Sequence, residues 1–322
     1  NREENLSKDQ KKLRVVTTIF PQYDFVRQIA GDNVSLTMLL KPGEETHSYE
    51  PTPQDIIAIQ NADLFIYVGG ENDEWVEDIL ESPEMEDVKR LRLVDCVGNI
   101  LAEEHVEGMK EERGHSHEDE EEESHDEEEH FLHSAEETEE EHNEHVHTMD
   151  EHVWTSPGNA IDIVEHITEE LCSLDSEHGQ TYKDNAEAYE TQLKELDTAF
   201  RDVVENAKNH TLLFGDRFPF RYFAAEYGLE YYAAFSGCAS DTEPSAATMA
   251  FLINKVKEEH IPVVLKMELS NDNIANAIAE ACDVPVKVFY SSHNISAKQF
   301  EAGVTYLDLM KENVETLKEA LR

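Results

Sequence analysis

Between Glu103 and Glu151 the chain carries 23 acidic residues, nine histidines and only two basic residues, Lys110 and Arg113. Runs such as Glu118 to Glu123 and Glu127 to Glu129 repel themselves and bring almost nothing to bury. This stretch therefore predicts a mostly unstructured insertion, and it divides the sequence with ordinary globular composition into two parts, Asn1 to Ala102 and His152 to Arg322. Over all 322 residues there are 72 acidic against 26 basic side chains, a formal charge of −46. Such a chain excludes nucleic-acid binding through phosphate neutralisation, which needs a basic surface.

Outside the insertion, short apolar runs alternate with helical spacing. LRVVTTI at Leu13 to Ile19, Val34 to Leu40 and LFIYV at Leu64 to Val68 read as strands, with helical patterns between them. After the insertion, Tyr182, Ala186, Tyr189, Leu193, Leu196, Phe200 and Val203 recur at steps of four and three, which puts them on one face of a single helix. That helix, expected over 176–207, would be on the order of 45 Å long. Strand-like segments return at Thr211 to Phe214, Tyr231 to Phe235, Val263 to Met267 and Val286 to Tyr290, again with helical patterns between. The expectation is an α/β protein: a first lobe over 13–175, the long rigid helix, and a second lobe over 208–322, each with a largely parallel sheet.

Two such lobes enclose a cleft, and clefts at strand C-terminal ends are where ligands bind. His47, in THSYEPTP, follows the strand Val34 to Leu40 and is placed to reach it. His152, in DEHVWTSP, stands just before Ser156-Pro157, which opens a helix. The histidines spread through the insertion, His115, His117, His125, His130, His133, His142, His145 and His147, make a set of weak metal sites among carboxylates. Cys96, Cys172, Cys238 and Cys282 include no CxxC pair, so two disulfides and four free thiols both remain open. No HExxH, GxSxG or Walker-type glycine loop is present. Glu45 or Glu50 beside His47 could still serve as a general base, which leaves a zinc-dependent hydrolase as the competing class, and a metal buffer or adhesive surface protein as a third.

The blocks HSYEPTPQD, DEHVWTSPGNA, FGDRFPFRYFAAEYGL and TEPSAATMAFLINKVKEEHIPVVLKMELSNDNIANAIAE, in this order, resemble those of zinc- and manganese-specific ABC-transporter substrate-binding proteins. The resemblance runs from about Leu13 to Arg322. It implies a metal held between two lobes, with His47 and His152 as the first-lobe ligands. In the second lobe this chain has Asp216-Arg217 where zinc members usually place a histidine, which makes Asp216 the third candidate. The fourth falls in Tyr290 to Asn294, where His293 is the strongest ligand type, with Glu268 in reserve. Three imidazoles and one carboxylate suit Zn2+; Mn2+, which prefers more oxygen donors, is the alternative.

The same resemblance implies a non-catalytic, high-affinity zinc carrier, monomeric, that delivers its ion to a membrane ABC permease. It also implies a place outside the cytoplasmic membrane, in the periplasm or on the cell surface, with a signal sequence missing from this chain. Residues 1–12 would then be a flexible tether from a lipid anchor. Export permits disulfides, and lobe membership would allow Cys96 with Cys172 and Cys238 with Cys282.

Overall fold

A computed structural model of the chain describes residues 12–44, 49–109, 149–237, 239 and 243–322. The expectations placed on His47, Cys238, the N-terminal tether and the loop histidines His115 to His147 lie outside these residues.

The apolar runs form two four-stranded sheets in which every pairing is parallel. The first contains β1 (Leu13–Thr17), β2 (Val34–Met38), β3 (Leu64–Tyr67) and β4 (Lys89–Arg92) in the order β2-β1-β3-β4. The second contains β5 (Thr211–Phe218), β6 (Glu230–Ser236), β7 (Val264–Lys266) and β8 (Val286–Val288) in the order β6-β5-β7-β8. Parallel neighbours need crossover connections, and helices supply most of them: α1 (Phe20–Ala30), α2 (Pro53–Gln60) and α3 (Glu74–Leu80) in the first half, α6 (Arg221–Tyr227), α7 (Ala246–Glu258) and α8 (Asn273–Cys282) in the second. Because helices cover both faces, central strands such as β3 and β5 are buried along their length.

α4 (Pro157–Leu174) leads into α5 (Gly179–Glu205), the long helix read from the sequence spacing. α5 buries Tyr182, Ala186, Tyr189, Leu193, Leu196, Phe200 and Val204, and packs against α1, α4 and the last long helix, α10 (Tyr306–Ala320). At about 1.5 Å per residue its 27 residues span roughly 40 Å. It starts at Gly179 because Asp175 accepts from His178 Nδ1 at 2.8 Å and from the Tyr182 hydroxyl at 2.6 Å, fixing a turn ahead of it. A short helix, α9 (Ala297–Glu301), precedes α10.

Two sequence expectations need correction. Cys96, Cys172 and Cys282 are free thiols, so the pairing of Cys96 with Cys172 is not made. Glu103 to Met109, counted with the acidic run, is packed: Glu104 pairs with Arg221 at 3.2 Å and accepts from the Tyr231 hydroxyl at 2.8 Å, and Met109 is buried. A short segment with one buried apolar anchor and a paired carboxylate can dock even when its net charge is unfavourable. At Gly108, φ is +89°, and a Cβ would collide with the Phe251 ring.

Candidate metal centre

His152 is fully buried in the turn that enters α4. Ser156 caps that helix, accepting from the Asn159 N–H at 3.1 Å, and Pro157 takes its first position. One oxygen of Asp150 accepts from both the backbone N–H of His152, at 2.9 Å, and its ring Nδ1, at 3.0 Å. An ionised carboxylate can only accept, so the hydrogen sits on Nδ1 and the Nε2 lone pair is left available. Nε2 is buried with no hydrogen-bond partner among the described residues. Burial would lower the proton affinity of this ring, but the charge and hydrogen bond of Asp150, with Glu151 and Glu103 nearby, raise its pKa above the ordinary histidine value. Gly237, at the end of β6, allows the close approach: a Cβ there would stand 3.2 Å from His152 Cε1.

His293 reaches the same place from the loop leaving β8. Glu268 shapes that loop by accepting from the Ser291 N–H and hydroxyl, both at 2.7 Å, and from the His293 N–H at 3.2 Å. Buried Ser292, between them, sits at a φ of +58°, a left-handed conformation that costs a non-glycine residue of order 1 kcal/mol. The outcome is a His293 ring perpendicular to that of His152, with centroids 5.4 Å apart and an interplanar angle of 88°. Trp154 packs against both rings, at 5.5 and 4.9 Å.

The surrounding loops are cross-linked by polar contacts. The Phe20 N–H donates to the His293 carbonyl at 3.3 Å, and the buried Asn294 amide donates to the carbonyls of Lys41 and Glu44, both at 2.8 Å. A pocket of about 80 Å³ opens here, lined by Glu44, Arg217, Glu268, Ser270, His293 and Asn294 among others.

The two second-sheet carboxylates are engaged in place. Asp216 lies within β5, where the strand register shifts between Phe214 and Arg217. Its oxygens accept from the Arg217 N–H at 2.8 Å, the Met267 N–H at 2.9 Å and the Ser270 hydroxyl. Burial raises its pKa, and these donors hold it back. Burial likewise raises Glu268, against the Ser291 donors. Of the sequence candidates, His152 and His293 therefore meet, whereas Asp216 and Glu268 are committed to backbone donors. Among the described residues no group of three or more His, Cys, Asp or Glu side chains is gathered for a metal. Sequence reading passed over Asp150 and Asn294; the first carries a signal, since an aspartate two residues before a candidate ligand can orient it.

Two parallel-sheet α/β lobes, a long helix packed along them, and two imidazoles facing one another from separate loops define a two-lobed binding protein. The chain belongs to the family described as zinc-uptake complex component A, periplasmic, whose profile matches residues 15–320. It is 32% identical over 317 residues to the high-affinity zinc uptake system protein ZnuA of Bacillus subtilis, covering 96% of this chain and 88% of that one. It is also 32% identical over 309 residues to the zinc-binding lipoprotein AdcA of Streptococcus pneumoniae, covering 96% of this chain but 56% of that protein. The chain thus spans little more than half the length of AdcA. Among solved structures, the Zn(II)-bound ZnuA-like domain of AdcA matches with a TM-score of 0.72 at 28% identity, over 96% of this chain and 99% of that one. The metal-dependent lipoprotein YcdH of Bacillus subtilis matches with a TM-score of 0.73 at 27% identity, over 97% and 100%.

Proposed function

We propose that this chain is the zinc-binding component of an ABC metal importer, working outside the cytoplasmic membrane and handing its ion to a membrane permease. The observation that carries the reading is the buried Nε2 of His152, without a hydrogen-bond partner among the described residues, with Nδ1 held by Asp150 and the His293 ring set at right angles beside it. A metal-binding histidine needs its other nitrogen anchored in this way. Family membership and the zinc-binding names of the relatives support the choice of ion.

The ligands in this reading are His47, His152 and His293, an imidazole-rich set that suits zinc at about 2.0–2.1 Å better than manganese. Glu268 braces the His293 loop, and Asp216 braces the Met267 to Ser270 segment that carries Glu268. Three imidazoles leave the fourth position of a tetrahedral zinc to water, so the carrier reading rests on family membership and not on ligand count, and the turnover assay below separates it from a hydrolase. The protein acts as a monomer, and a lipid anchor would suit a chain whose relatives are named lipoproteins. Among the described residues no helix is long and apolar enough to cross a membrane.

Elemental analysis of protein purified without added metal tests this. One tightly held zinc per chain, not displaced by excess manganese, is expected. Retention of manganese in preference to zinc, or metal-dependent turnover of esters or peptides, would overturn it.

A further inference from the structure

The acidic insertion leaves and re-enters the fold through a neck, and both sides of the neck meet at a side chain from the second sheet's lobe. Ala102 and Met149 form an antiparallel bridge, and the Asp150 N–H donates to the Leu101 carbonyl at 2.9 Å. The hydroxyl of Tyr222, on α6, then closes the pair: it donates to the Asp150 carbonyl at 2.8 Å and accepts from the Leu101 N–H at 3.1 Å. All eight histidines from His115 to His147 lie in sequence between the two sides of this neck.

Asp150 belongs to the neck and to the metal centre at once. It is 2% exposed, its N–H and carbonyl are both used by the neck, and its carboxylate orients His152. A residue held at all three polar groups cannot turn without turning the ring it supports. We propose that Tyr222 is a positioning residue for metal binding: its hydroxyl clasps both ends of the insertion's neck and so fixes the Asp150 carboxylate that holds His152 in its metal-receptive pose. The proposal rests on the reading of His152 as a ligand.

Three features make this more than packing. The phenol ring is buried, so Tyr222→Phe keeps its volume and removes the hydroxyl that makes the clasp. The groups released, the Leu101 N–H and the Asp150 carbonyl, belong to opposite sides of the neck. The Ala102–Met149 bridge and the Asp150 N–H bond to Leu101 remain in that variant, so it relaxes the Asp150 carbonyl without opening the neck.

The test uses the full chain and four variants: Tyr222→Phe, Phe223→Leu, Asp150→Asn and His152→Ala. Phe223 is buried on the same helix and packs against Phe200, Tyr227 and Phe289, so its truncation serves as the structural control. Zinc affinity at the tightest site is read by chelator competition, thermal unfolding of the metal-free protein by calorimetry, and the His152 tautomer by 15N-histidine NMR. Tyr222→Phe should weaken tight binding about tenfold and loosen the Nδ1–H signature of His152 toward that of Asp150→Asn. Phe223→Leu should lower the unfolding temperature and do neither. The proposal is overturned if Tyr222→Phe leaves affinity within twofold and the signature unchanged while His152→Ala abolishes tight binding. It is equally overturned if Phe223→Leu reproduces both effects. If His152→Ala keeps tight binding, the assignment of His152 as a ligand fails, and the proposal falls with it.

Discussion

The indole N–H of Trp154 donates to the carbonyl of Ser291 at 2.9 Å, joining the turn that carries His152 to the loop that carries His293. The Tyr306 hydroxyl donates to the Trp154 carbonyl at 2.7 Å from the other side. Trp154 is fully buried, so its bond to Ser291 has no water to replace it.

Replacing this residue should therefore cost both stability and binding. Trp154→Phe removes the donor and part of a buried ring, and urea unfolding should show a loss of about 2–4 kcal/mol. Zinc affinity should fall too, because the His293 ring rests on the indole. An unfolding midpoint equal to that of the parent protein would mean that the contact does not hold the two loops together.

The second prediction concerns Asp73, buried at the end of the loop after β3. Its carboxylate accepts from the N–H groups of Val68, at 2.6 Å, and Gly69, at 3.2 Å. Burial, and then the charge of Glu151, push its pKa up to about 7 from the ordinary 3.8, against the pull of the two N–H donors. A folded-state pKa above the unfolded one means that the folded chain holds this proton more tightly. The stabilisation is complete below about pH 4 and is lost as pH rises through about 7. Asp73→Asn keeps an acceptor for both N–H groups without the charge. It should raise stability at pH 8 more than at pH 5, measured by denaturant unfolding at the two values. An equal shift at both would show that Asp73 does not titrate in this window.

The bracing role of Asp216 gives a third. Asp216→Ala strips the Met267 N–H, the Arg217 N–H and the Ser270 hydroxyl of their acceptor and should destabilise the fold by about 2–4 kcal/mol. Zinc affinity at the tightest site should change less than tenfold, whereas His293→Ala should reduce it by orders of magnitude. If the folded Asp216→Ala protein loses tight binding as His293→Ala does, the carboxylate is a ligand as well as a brace.

The architecture was legible because it is written in periodicity. The four-and-three spacing from Tyr182 onward can only serve one face of a long helix, and that face is buried along α5. Apolar runs such as LFIYV mark strands covered on both sides. The ends were less legible: Thr211 to Phe214 continues as strand through Phe218, because after a register shift Arg217 and Phe218 pair with Phe235 and Ser236 of β6, and no local pattern announces that pairing. At the site, residue type singled out His152 and His293, but not which way the carboxylates turn. Asp216 is the third ligand candidate in sequence and Glu268 the reserve; their hydrogen bonds to Met267 and to Ser291 are decided by backbone N–H groups some 51 and 23 residues away. Asp150 was passed over for the opposite reason, being read as the tail of an acidic run when it is the anchor of an imidazole.

If zinc is held tightly between the His152 turn and the His293 loop, and not by the histidines of the insertion, the tight site depends on His152. Chelator competition on the full chain, comparing the parent with His152→Ala, tests it most directly. The parent should show one tight site above a set of weak ones. His152→Ala should lose the tight site and leave the weak ones unchanged, with metal-free unfolding still cooperative. Survival of the tight site in His152→Ala would contradict the account.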